Sequence, residues 1–170
     1  TAYNISSADI DGDRIKSIFN WFRNGTSITV LNMPFEGINN TAYNNTWDYS
    51  GYGHNSSDYS TTTAWNASGG YDGLGAYEFD GSASDFITIG DTATFTALHG
   101  AADTSNFKFT ASVWMKFPNP NPDALYGIIS TDDTGSANVG VDLFFDDRSS
   151  QTFNRRLRTI INRGVSGQVV

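Results

Sequence analysis

The sequence predicts an all-β fold, an antiparallel two-sheet jelly-roll sandwich with long loops and minimal helix. Three observations lead there. Helical periodicity is almost absent along the 170 residues. Wherever the chain is apolar it alternates with a period of two, the side-chain repeat of a strand. Turn-forming residues punctuate these stretches, and many short strands with β-branched or aromatic interiors pack as layers.

Residues 1–30 form a separate piece. It carries Asp9-Ile10-Asp11-Gly12-Asp13, a strand-like run from Arg14 to Phe22, and an Asn24-Gly25 pair of the kind that closes a hairpin. About thirty residues cannot close a core of their own, so this piece packs onto the sandwich or ends a preceding domain. From 31 to 170 the chain reads as one main domain. Its segment Asn39 to Gly75 holds six glycines, with aromatics scattered among Asn, Ser and Thr without a period. A long irregular stretch of that kind is functional or is pinned by ligands. Phe86 to Ile89 is a short strand candidate, and a single helical turn fits Asp91 to Leu98.

The clearest strand is Phe107 to Phe117. Phe107, Phe109, Ala111, Val113, Met115 and Phe117 share one face, while Lys108, Thr110, Ser112, Trp114 and Lys116 take the other. Leu125 to Ile129 is shorter. Val139, Val141, Leu143 and Phe145 then alternate with Gly140, Asp142, Phe144 and Asp146. Asp80-Gly81, Asn119-Pro120-Asn121-Pro122 and Asp132-Asp133-Thr134-Gly135 supply turns between the strands.

Composition narrows the function. Lys and Arg total 10 against 18 for Asp and Glu, a net charge of -8, so neither nucleic acid nor an anionic lipid surface is an expected partner. Charged residues are 16% of the chain while Asn, Ser and Thr number 52, a surface solvated by amides and hydroxyls that suits an extracellular or cell-surface location. The absence of cysteine excludes a disulfide scaffold, a thiolate metal site and cysteine catalysis together. No apolar run approaches the ~18 residues of a membrane span, so no membrane insertion is expected. The start at Thr1, without Met or an apolar leader, reads as a mature product or an excised fragment.

Three landmarks in series resemble the laminin-G-like, concanavalin-A-like jelly roll. They are Leu31-Asn32-Met33-Pro34-Phe35-Glu36 leading to Asp48-Tyr49-Ser50-Gly51-Tyr52-Gly53, then Gly73 to Gly81 with its Tyr77-Glu78-Phe79-Asp80-Gly81, then Phe109-Thr110-Ala111-Ser112-Val113-Trp114-Met115-Lys116. The resemblance covers roughly residues 31–145 and implies a binding or adhesion module of extracellular multidomain proteins. The N-terminal piece is similar to the closing strands of an immunoglobulin-like or cadherin-like repeat. Domains of the resembled kind continue into a strand containing Trp-His and a further strand, and Asp146 to Val170 contains neither Trp nor His. The jelly roll is therefore expected to be incomplete at its C-terminus, with an open edge completed by the remainder of the polypeptide or by a neighbouring copy.

Enzymes share this architecture, so hydrolysis of a polysaccharide is the first chemistry to weigh. A retaining glycosidase needs two carboxylates roughly 5 to 5.5 Å apart, and the laminarinase-like pattern supplies both as Glu on one strand. The only glutamates are Glu36 and Glu78, on different predicted strands. His54 and His99 lack a Ser-His-Asp or paired-His neighbourhood. No catalytic residue is expected, and the chain reads as a non-enzyme.

Calcium is the more physical candidate cofactor, because it takes oxygens from aspartate-rich loops. Asp48 and Asp80 stand at the landmarks near which related jelly rolls bind Ca²⁺, and Asp85 is close to Asp80. The alternative is that Asp80 makes an Asx turn and Asp48 ties its own loop backbone. Asp9, Asp11 and Asp13 have the spacing that opens an EF-hand loop, but its closing Glu would fall on Asn20. They are an interdomain calcium linker or a solvated acidic turn.

Six glycosylation sequons occur, at Asn4, Asn24, Asn39, Asn44, Asn55 and Asn66, all before residue 67, where ten of the sixteen asparagines lie. Trp47, Tyr49, Tyr52 and Trp65, with Tyr43 and Tyr59, concentrate in the irregular segment, where rings stack on a ligand or plug the ends of the sandwich. Arg148, Arg155, Arg156, Arg158 and Arg163 hold half the cationic charge near the expected open edge. With those five set aside from the net charge of -8, the rest of the chain carries -13, so they guard an edge strand or dock an acidic sister subunit. The expected function is noncatalytic binding or adhesion toward a glycan or protein ligand, with self-assembly into an extracellular filament or layer as the alternative.

Overall fold

The computed structural model describes residues 2–36, 46–59, 63–81, 85–90, 95, 110–117, 123–131, 139–150 and 155–163. Among them there is no helix, and nine strands pair antiparallel in four small sheets, which makes the protein all-β. The chain divides into two compact units, Thr1–Ile89 and Gly90–Val170.

In the first unit, β1 (Phe22–Arg23) and β2 (Thr26–Ser27) form the hairpin that Asn24-Gly25 announces. Both turn residues have positive φ, 50° at Asn24 and 80° at Gly25, which a two-residue turn matched to strand twist requires. The run from Arg14 to Trp21 is not a strand. Its alternation is real, but its side chains are spent on cross-links: Arg14 donates to the Gly73 and Asp72 carbonyls, Lys16 reaches Glu36 and Asp72, and Asn20 donates to the Ser50 carbonyl. Residues 1–30 are thereby bonded to the body of their unit.

The segment expected to be structureless contains two strands. β3 (Ser56–Tyr59) pairs with β6 (Ile87–Ile89), and β4 (Ala64–Asn66) pairs with β5 (Ala76–Glu78) with Trp65 opposite Tyr77. Their polar residues concealed the period, because a ladder is held by backbone bonds that need no apolar alternation. The helical turn expected at Asp91 to Leu98 lies, except for Phe95, outside the described residues.

The second unit is built on a three-stranded meander, β7 (Leu125–Ser130), β8 (Val139–Asp146) and β9 (Arg156–Arg163), with β8 central. Two strands fall where period-two alternation placed them. β9 is a correction, since the sequence pattern points to no strand after Phe145. Arginines at 156, 158 and 163 dilute an alternation of Leu157, Thr159 and Ile161 that is nevertheless present. The expected strand at Phe107 to Phe117 is a second correction: its described part, residues 110–117, has no ladder partner among the described residues and is mostly exposed. Alternation specifies two faces, but only a neighbour's backbone makes a strand. Phe117 alone of that face docks firmly, stacked 4.0 Å from the Phe145 ring. The turns at 119–122 and 132–135 lie outside the described residues.

Among the described residues, buried side chains are mostly polar: the apolar ones are Val141 and Ile160, against Thr46, Ser50, Ser56, Thr63, Asp142, Asp146 and Asp147. The hydrogen bonds made by these buried polar groups define the candidate site.

Candidate functional site

Asp48 organises the first unit. Its side chain is fully buried, and each carboxylate oxygen accepts two hydrogen bonds. Oδ1 takes the N–H of Asn32 at 2.9 Å and of Ser50 at 2.8 Å; Oδ2 takes the Ser50 hydroxyl at 2.5 Å and the His54 N–H at 3.0 Å. Burial alone pushes this carboxyl up, but the Ser50 hydroxyl and the three N–H donors outweigh it and hold it below the ordinary carboxylate range. The backbone of Asp48 is fixed as well, its N–H donating to Asn55 Oδ1 at 2.9 Å. One carboxylate therefore ties the strand-like opening at Asn32 to both limbs of the Asp48-Tyr49-Ser50-Gly51-Tyr52-Gly53 loop.

The loop reverses at Gly51 and Gly53, whose φ values of 92° and 76° exclude most side chains. Along its entry the chain alternates: Thr46, Asp48 and Ser50 turn inward, and Trp47 and Tyr49 turn outward, 42% and 43% exposed. Tyr52 is 48% exposed, lies parallel to the His54 ring at 5.7 Å, and donates its hydroxyl to the Ser27 carbonyl at 2.9 Å. That bond sets the loop against the β1–β2 hairpin, which presents Trp21 and Phe22, 51% and 62% exposed. These two rings were absent from the sequence-derived site. The signal for them was their place just before the Asn24-Gly25 turn, since a two-stranded hairpin cannot bury both faces.

Trp65 behaves otherwise. Its indole N–H donates to the Phe35 carbonyl at 3.0 Å and its ring lies against Gly75, so it plugs the unit and is half-buried. Nearby, Lys16 bridges Glu36 and Asp72, and Glu36 also accepts the Gly75 N–H. Burial lowers the Lys16 pKa and the hydrogen bonds from its ammonium to Asp72 and Glu36 reverse this, raising it overall.

The remaining expected metal ligands are dispersed. Asp85 accepts from the Thr63 hydroxyl and the Asp80 N–H. Asp9, Asp11 and Asp13 are exposed, with Asp9 accepting the Asp11 N–H at 3.0 Å. Among the described residues no three acidic or histidine side chains converge on a point that could hold an ion. Glu78 accepts from Asn66 Nδ2 at 2.6 Å. Of the sequons, Asn4 and Asn24 are exposed and Asn55 and Asn66 half-buried, while Asn39 and Asn44 lie outside the described residues. Asn4 donates to Ser7 and Ser17, whereas Asn24 stands at the tip of its turn.

In the second unit a different carboxylate is clamped. Asp146, fully buried, receives Arg148 Nε and Nη2 at 2.9 Å each and Arg156 at 3.3 Å. The Arg148 guanidinium is the main reason its carboxyl lies far below the ordinary range. Two of the five clustered arginines are thus structural. Arg155 lies over the Phe145 ring, 6.0 Å from its centre.

Comparison with known proteins returned no matching family model, no matching curated protein and no matching solved structure.

Proposed function

We propose that this chain is a noncatalytic binding or adhesion module of the extracellular space or cell surface, folded as a laminin-G-like jelly roll, that seats a glycan or protein ligand on Trp47, Tyr49 and Tyr52. The observation that carries the reading is the pairing of exposed rings with a locked backbone. Rings held out from a loop whose carboxylate has no spare acceptor lose little entropy on binding, which is how a small aromatic patch gains affinity. Asp48 is assigned no calcium, because each of its carboxylate oxygens already accepts two hydrogen bonds. Hydrolysis is not assigned to Glu36 or Glu78, which serve as a salt-bridge partner and an amide acceptor.

Affinity electrophoresis through gels containing soluble polysaccharides tests it. Retardation by at least one polysaccharide is expected, weakened about tenfold or more when Trp47 and Tyr49 are replaced by Ala. Retardation unchanged in that variant would refute the assignment. A second reading, a structural subunit assembled by strand completion, is favoured by one observation: β9 is an edge strand among the described residues.

A further inference from the structure

Beside β9 lies a groove of about 260 Å³ lined by Arg156, Leu157, Arg158 and Thr159. On its outer side β9 pairs with no strand among the described residues, so its backbone donors and acceptors form an edge. Arg156 and Arg158 share one face with Asp146 and Phe144, while Leu157 and Thr159 share the other with Phe145 and Leu143. Leu157 is 62% exposed there. Such an edge disfavours a second β9, because like charges set side by side repel. It suits an extended segment in which acids alternate with an apolar residue.

The same chain carries one. In Ala8-Asp9-Ile10-Asp11 every residue is exposed, Ile10 completely, and the segment contributes no strand to its own unit. The chain bends at Ile10 and Asp11, and Gly12 follows with φ of 86°. We propose that residues 8–11 of a second copy add antiparallel to β9, with Asp9 opposite Arg158, Asp11 opposite Arg156 and Ile10 against Leu157. The Asp9–Asp11 bend opens as its N–H joins the ladder. Arg156 keeps its bond to Asp146, since a guanidinium has five donors. The contact joins different surfaces of the two copies, so it propagates head to tail into a ring or an open filament. It rests on the assembly reading and names the surfaces that carry it.

Light-scattering mass of the full chain, measured across concentration and salt, is the test. The mass is expected to rise with concentration and to fall with added salt. Arg158→Glu and Asp9→Arg should each weaken association about tenfold or more, and an equimolar mixture of the two variants should restore it, because each then presents the complement of the other. Asp9 lies in an exposed segment, so its variant reports on docking without threatening the fold. Association that persists unchanged in both variants, or a mixture that fails to recover, overturns the strand assignment and leaves assembly standing. A mass of 18.5 kDa at every concentration removes both.

Discussion

Asp48 shows how much one side chain can decide. Removing its carboxylate leaves three N–H groups and a hydroxyl unsatisfied in a buried setting. Asp48→Ala is therefore expected to cost about 3 kcal/mol in urea unfolding, and Asp48→Asn about half of that, since the amide keeps one acceptor. The pH dependence has a definite sign. The folded-state pKa of Asp48 lies below its unfolded value, so its stabilisation is complete above about pH 3.9 and is lost as the pH falls toward the folded value. Asp146 acts in the same direction through Arg148. Urea midpoints should hold steady from pH 7 to about 5 and decline below about 4, with a shallower decline in Asp48→Asn; an equal slope would show that Asp48 is not a titrating anchor. The sequence marked Asp48 as important through its Asp-x-Ser-Gly setting but left two roles open. Donors at Asn32 and His54, 16 residues before it and six after, can be assigned only once the chain is folded.

At the level of elements, packing around glycine separates the entry to β5 from β7. A Cβ on Gly75 would sit 2.6 Å from Trp65 Nε1 and 2.8 Å from the Phe35 carbonyl, too close for either to be ignored. Gly75→Ala should thus lower stability by about 2 kcal/mol and disturb the Trp65 environment. On Gly127 the nearest atom is Phe144 Cε1 at 4.0 Å. Gly127→Ala should be neutral or slightly stabilising, because it reduces unfolded-chain entropy without a clash. Thermal melts of the two variants compare them directly. The same contrast explains what sequence pattern revealed: β7 and β8 stood out because their alternation is apolar. β4 pairs Trp65 with Tyr77 through a run otherwise of Ala and Asn, and β9 interrupts its apolar face with arginine, so both passed unseen. Residues 110–117 failed in the opposite way, alternating well without joining a ladder among the described residues.

For the whole molecule, fold class was legible from period-two alternation and the absence of helical repeats. How the small sheets stack is a relation between distant residues that no local pattern encodes. The placement of tryptophan gives this scale a measurable quantity. The chain has four tryptophans, and three are well exposed, Trp21 at 51%, Trp47 at 42% and Trp114 at 75%, while Trp65 is half-buried. A protein that buried its rings in an apolar core would emit toward the blue and shift strongly on unfolding. This chain should emit close to the solvated position, shift little in urea, and be quenched by acrylamide through most of its intensity. Trp47→Phe should remove quenchable intensity, and a bound polysaccharide should protect that same fraction in the wild type while protecting none in the variant. Protection that survives Trp47→Phe would move the ligand away from the Asp48 loop to another ring, with Trp21 on the adjoining hairpin the next to replace.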